Sequence, residues 1–148
     1  MDVLVKFVPK AKEKSTGLTN YFGSLKKVQK YFLKLHKKNG NNNFFFLIRE
    51  RRLDTEDGNS NIVNENDNIY FVFEQKIIAK AKYVASPKSK RSDKFKNGYE
   101  VKNVLLLGSP FHLNELEKNP YTPGSRHSVY FIKEDEKILK KELKDMFQ

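Results

Sequence analysis

Any chemistry in this chain must be carried by cations and aromatic rings. The 148 residues include 29 Lys and Arg against 18 Asp and Glu, with 12 Phe, 7 Tyr, 3 His and no Cys or Trp. Lys88, Lys90, Arg91, Lys94 and Lys96 crowd the segment SPKSKRSDKFKNG, Arg49, Arg51 and Arg52 follow a triple Phe, and Arg126 adjoins His127. Cations in such clusters neutralise phosphates and release condensed counterions, following a nucleic-acid backbone without reading its sequence. Rings are the second resource: Tyr21 and Phe22, Phe95 and Tyr99, and Phe111 and Tyr121 fall in segments that read as loops. A base drawn out of its stack needs such flat surfaces on either side. Rings near element ends also close over a core, so each of these has a packing role open to it as well.

Enzymatic alternatives find less support. His36, His112 and His127 show none of the spacings HxH, HxxxH or HExxH, so no metal site is expected. Without Cys or a Gly-x-Ser-x-Gly elbow, the common acyl-transfer designs are absent. A metal-dependent nuclease of the PD-(D/E)xK type would draw on Glu74-Gln75-Lys76 or Glu100-Val101-Lys102, with Asp57 ahead of the first. Glu74 falls at an expected turn, and ExK strings arise by chance in a chain that is 32% charged. The expectation is a binding module with no cofactor and no metal.

Charge distribution sharpens this. Residues 1–53 carry 13 Lys and Arg against 3 acids, residues 54–75 carry none against 6, and residues 76–103 carry 9 against 2. A basic surface interrupted by one acidic loop suits a phosphate-backbone binder. An acidic protein partner would find the same surface. The length fits one domain over residues 1–148, complete or a fragment of a longer chain. No run of 18 apolar residues exists, and the start lacks a basic region, so the chain is expected to be cytoplasmic and away from membranes.

The elements that must position these groups follow from periodicity. VLVKFVP reads as a strand ended by Pro9. Ser24 caps a helix in which Leu25, Val28, Phe32 and Leu35 share one face, and Gly40 stops it. FFFLIRERR reads as a strand, and Leu53 to Asp67 as a polar excursion. In NDNIYFVFEQKIIAKAKYVA the period is two, so a hairpin is expected, with Ile69, Phe71 and Phe73 set against Ile77, Ala79 and Ala81. Its small alanines let another element pack close. YEVKNVLLLG and SVYFI are further strands, FHLNELEKN a short amphipathic piece, and KEDEKILKKELKDMF a closing helix with acids in its first turn. The expected fold is α+β: a mixed, mainly antiparallel curled sheet or small barrel of five or six strands, with two or three helices at its edges.

The hairpin string, with its NDN start and IxAxAxV second strand, resembles the core hairpin of the PUA-like superfamily, which includes ASCH, EVE and YTH domains. YEVKNVLLLGSPFHLNELEKN and the segment from SVYFI to the end are similar to the second half of such domains, so the likeness covers about half of the chain. Asn66 stands where the pattern has Gly. The resemblance implies recognition of RNA, or of a modified base flipped from DNA, and EVE-like domains head restriction systems that act with a GTPase motor and a nuclease subunit. Its implication here is a DNA-binding specificity module for a methylated base, with RNA as the alternative. The stacking residues would be Tyr21, Phe22, Tyr99, Phe111 and Tyr121. Arg49, Arg51, Lys88, Lys90, Arg91, Lys94, Lys96, Arg126 and His127 would hold the backbone.

Overall fold

A computed structural model describes residues 1–6, 24–37, 43–45, 53, 60–86, 99–121 and 129–148. Its core is a hairpin. β3 (Asn68–Phe73) and β4 (Lys76–Ala85) are joined by Glu74 and Gln75 at φ 48° and 64°. Both residues are left-handed, the requirement of a two-residue turn whose twist matches the strands, usually met by Asn-Gly. The turn residues here are therefore unusual in type and ordinary in geometry.

β1 (Val3–Lys6) runs parallel to β3, and every other pair is antiparallel. With β2 (Asn43–Phe45), β5 (Tyr99–His112) and β6 (Val129–Phe131), the order across the sheet is β2-β5-β4-β3-β1-β6. This is the mixed, mainly antiparallel six-stranded sheet, and it is open. The expected closure into a barrel does not occur among the described residues: β2 and β6, three residues each, stand at opposite edges without pairing. Short edge strands limit the unpaired backbone offered to other chains.

The helices lie on the two faces of the sheet, a correction to the edge placement expected. α1 (Leu25–Lys37) begins where the backbone N–H of Lys27 donates to Ser24 Oγ at 3.3 Å, the expected cap. Its Val28 and Phe32 are fully buried with Ile69, Phe71, Ala79 and Ala81, and the Phe32 and Phe71 ring centroids are 4.8 Å apart. The small alanines thus share their cluster with α1. α2 (Lys137–Met146) covers part of the other face, burying Leu139 and Leu143 with Leu4, Tyr70, Val72 and Ile77. Each fully buried Leu or Phe contributes about 1.5–3 kcal/mol relative to exposure.

Two details differ from the alternation read in sequence. Val72 pairs with Ile77 and Phe71 with Ala79, so Ile78 is an extra residue in β4. This bulge turns Ile77 into the α2 cluster and sends Ile78 to the α1 side, against the expected grouping of Ile77 with Ala79 and Ala81. The acids expected in the first turn of α2 precede it instead. Glu136 occupies the N-cap position, where its carboxylate accepts from the Lys133 N–H at 3.0 Å and the Tyr130 hydroxyl at 2.8 Å.

At the start of the hairpin Asn66 has φ 74°, the left-handed region that Asn tolerates better than most residues. Its N–H donates to Tyr83 O, and the Tyr83 N–H returns a bond to Asp67 O, each at 2.8 Å. The hairpin therefore extends one pair past its last strand residue.

Candidate functional site

Among the described residues, the face of the sheet that packs against α2 also carries partly buried lysines. Lys80 and Lys82 share a face of β4 with the register partners Tyr70 and Asn68 on β3. On the other side Lys82 pairs with Lys102, and Lys80 with Leu105, which is 41% exposed. The spacing along β5 is uneven because Asn103, at φ 53°, is an extra residue between these partners. That bulge lets Lys102 and Leu105 face the same way, three positions apart.

Like charges directly opposite on neighbouring strands cost stability, on the order of 0.2–1 kcal/mol. Relief within the described residues is slight: Lys102 Nζ lies 3.9 Å from Glu65, whose side chain is 64% exposed. Lys80 is half-buried, and that burial, followed by the charge of Lys82, pulls its pKa below the ordinary lysine value, while Asp2 acts against the shift. Its ammonium also sits 5.8 Å from the Phe147 ring centroid, a cation–π distance. The arrangement favours an anion across these ammonium groups.

Below Lys80 the face opens into a cleft of about 410 Å³ between the sheet and α2. Asp2, Asn68, Tyr70, Lys80, Lys140 and Lys144 line it, with Met1, Asp67 and Glu134. Asp2 accepts from the Asn68 backbone N–H at 2.8 Å and from its side-chain amide at 3.1 Å, which fixes the amide orientation. Asn68 Oδ1 is then buried without a partner. Burial, with a smaller effect from Asp2, raises the Tyr70 pKa, so the phenol stays protonated and able to donate.

A second groove, about 880 Å³, lies between residues 117–120 and α2. Glu117, Asp135, Glu136 and Glu142 outnumber Lys118 and Lys137 there, around Tyr130 and the 57% exposed Ile138. Its sign is wrong for phosphate. Charge therefore selects the lysine face over the larger groove.

Of the sequence-derived stacking residues, Tyr99, Phe111 and Tyr121 fall within the described residues. Tyr121 is a core residue: it is 5% exposed, its hydroxyl donates to Leu4 O at 3.3 Å, and its ring lies 6.1 Å from that of Tyr130. Burial raises its pKa, and the Lys6 ammonium stands 5.4 Å from the ring centroid. Phe111 is in β5, half-buried opposite Ile77, rather than in a loop, because β5 continues past Gly108 and Pro110. Tyr99 begins the same 14-residue strand at its far end, opposite Phe45. Tyr21, Phe22, Arg49, Arg51, Arg52, Asp57, Lys88, Lys90, Arg91, Lys94, Phe95, Lys96, Arg126 and His127 lie outside the described residues, as does the strand expected past Phe45.

His112 accepts at Nδ1 from the Asn114 N–H at 3.1 Å, ahead of a short 3₁₀ turn over Leu113–Glu115. Glu74 lies in the hairpin turn, where a metal-binding ExK strand would not place it. Among the described residues no three His, Asp or Glu side chains group closely enough to hold a metal ion, and no helix is long and apolar enough to cross a membrane. No protein-family model matches the chain, and no curated protein matches it.

Lys80, Lys82 and Lys102 were not among the cations singled out from sequence. The alternation KAKYV places Lys80 and Lys82 on one face, but nothing local shows which residues of β5 stand beside them. The pairing of Lys82 with Lys102 depends on the Asn103 bulge.

Proposed function

We propose that this chain is a nucleic-acid-binding module that holds the phosphate backbone on the lysine-bearing face of its sheet, through Lys80, Lys82 and Lys102. The observation that carries this reading is the register pairing of Lys82 with Lys102 beside half-buried Lys80. A polyanion converts that repulsion into attraction and releases counterions as it binds.

The PUA-like resemblance supports a narrower reading, recognition of a modified base in DNA. Asn66, left-handed where the family pattern has Gly, is compatible with it. Tyr121 and Phe111 are committed to packing, so stacking on a flipped base would fall to Tyr21, Phe22 and Tyr99. The direct test is fluorescence anisotropy against unmodified, N6-methyladenine and 5-methylcytosine duplexes and matched RNAs at two salt concentrations. The proposal expects binding that weakens steeply with salt, and the narrower reading expects preference for one modified duplex. Binding that is insensitive to salt would sink the first, and equal binding to all duplexes the second.

A further inference from the structure

The larger groove, between residues 117–120 and α2, differs in kind from the lysine face. Ile138 lies in it at 57% exposure, the most exposed large hydrophobic side chain among the described residues. Pro120, the half-buried Tyr130 and the core residue Leu139 complete its apolar lining. Single exposed apolar residues are ordinary, whereas one set in a groove with three others forms a surface that a partner can cover. The helix period explains the placement. Ile138 and Glu142 fall on one flank of α2, Leu139 and Leu143 turn into the core, and Lys140 and Lys144 line the cleft on the other flank.

The charges of the groove indicate what covers it. Glu117, Asp135, Glu136 and Glu142 line it against Lys118 and Lys137, a net of two negative charges in a chain of net charge +11. None of the four acids is ion-paired among the described residues. Their hydrogen bonds come from neutral donors: Glu136 accepts from the Tyr130 hydroxyl and the Lys133 N–H, and Glu142 from the Glu117 N–H at 3.2 Å. Those bonds fix the carboxylates without cancelling their charge. Among the described residues no three of them group closely enough for a metal ion, so the dispersed charge suits several cationic side chains rather than one ion. An apolar surface set among acids is complementary to a segment that interleaves apolar and cationic residues.

We propose that this groove docks a basic peptide segment of a partner protein, with apolar side chains against Ile138 and Tyr130 and Lys or Arg groups against Asp135 and Glu142. The inference goes beyond the nucleic-acid reading and does not rest on it.

Fluorescence anisotropy of the full chain with two labelled peptides, acetyl-GKLKRLKG-amide and its serine analogue acetyl-GKSKRSKG-amide, tests this. The leucine peptide should bind at least about tenfold more tightly than the serine analogue, the scale of burying apolar side chains, and should weaken as salt rises. Ile138→Ser should remove most of the preference for leucine. Asp135→Asn with Glu142→Gln should weaken the leucine peptide by about tenfold, while Glu115→Gln with Asp145→Asn, the same charge change on exposed acids outside the lining, should have little effect. No binding of the leucine peptide, equal binding of the two peptides, or an unchanged preference in the folded Ile138→Ser protein would overturn the docking assignment. A loss in the Glu115 and Asp145 pair as large as in the groove pair would overturn the role of the groove carboxylates, because net charge alone would then account for it. Circular dichroism checks the fold of each variant, and if Ile138→Ser fails to fold, the comparison of the two acid pairs decides the matter.

Discussion

Lys82 and Lys102 stand directly opposite each other on antiparallel β4 and β5, and among the described residues Lys102 Nζ pairs only loosely, at 3.9 Å, with the largely exposed Glu65. A fold selected for stability alone has little reason to keep such a pair. The stability prediction is that Lys82→Gln with Lys102→Gln leaves the protein as stable or raises its unfolding free energy by up to about 1 kcal/mol. Urea denaturation measures it. A loss of more than this amount would show that the pair is structural.

The Asn103 bulge sets the spacing of this face. At φ 53° a β-branched residue is strained, so Asn103→Val should destabilise by about 1–2 kcal/mol, whereas Asn103→Gly should be neutral or mildly stabilising. Thermal denaturation of the two variants compares them directly. Equal effects would mean that the left-handed conformation does not govern the site.

The hairpin turn is left-handed as well. Glu74 and Gln75 are both left-handed, a conformation that Asn-Gly adopts more easily. Replacing the pair with Asn-Gly should stabilise the protein by about 0.5–1 kcal/mol, read as a higher urea midpoint.

Core identity separates from surface function at Phe71 and Tyr121. Phe71 is fully buried against Phe32, so Phe71→Ala should cost about 3–5 kcal/mol, enough to unfold a domain of marginal stability. Tyr121→Phe removes the hydroxyl that donates to Leu4 O and should cost about 0.5–1.5 kcal/mol, while leaving nucleic-acid affinity unchanged. Reduced affinity in a folded Tyr121→Phe protein would return that ring to the binding site.

Alkaline pH tests the Tyr130 contact. Burial first, then the hydrogen bond to Glu136 and the neighbouring acids, raise its pKa from 10.0 to about 12. The unfolded chain therefore loses this proton before the folded one does. The contribution is fully present below pH 10 and disappears as pH rises towards 12. Tyr130→Phe should make that part of the stability profile shallower, with Tyr70 and Tyr121 keeping their share, measured by denaturation at a series of pH values.

Much of the frame was legible in the sequence. Period-two alternation from Ile69 to Tyr83 gave the hairpin, and Ser24 with the Leu25, Val28 and Phe32 spacing gave α1. What escaped was set at a distance. The Ile78 bulge reverses Ile77, yet the run KIIAKAKYV accommodates either register. Tyr121 looks like a loop ring because its neighbours are turn residues, but its burial is decided by Leu4, 117 positions away. The candidate site escaped for the same reason. Loops stand out as dense basic segments, whereas the lysine face combines two strands and one bulge.

The measurement that bears most directly on the central claim is the salt dependence of nucleic-acid affinity for the native protein and for Lys82→Gln with Lys102→Gln. The account predicts a log–log slope flattened by about 1 for each lysine removed, with affinity lowered to a similar extent across sequences. An unchanged slope and affinity in the folded double variant would contradict it.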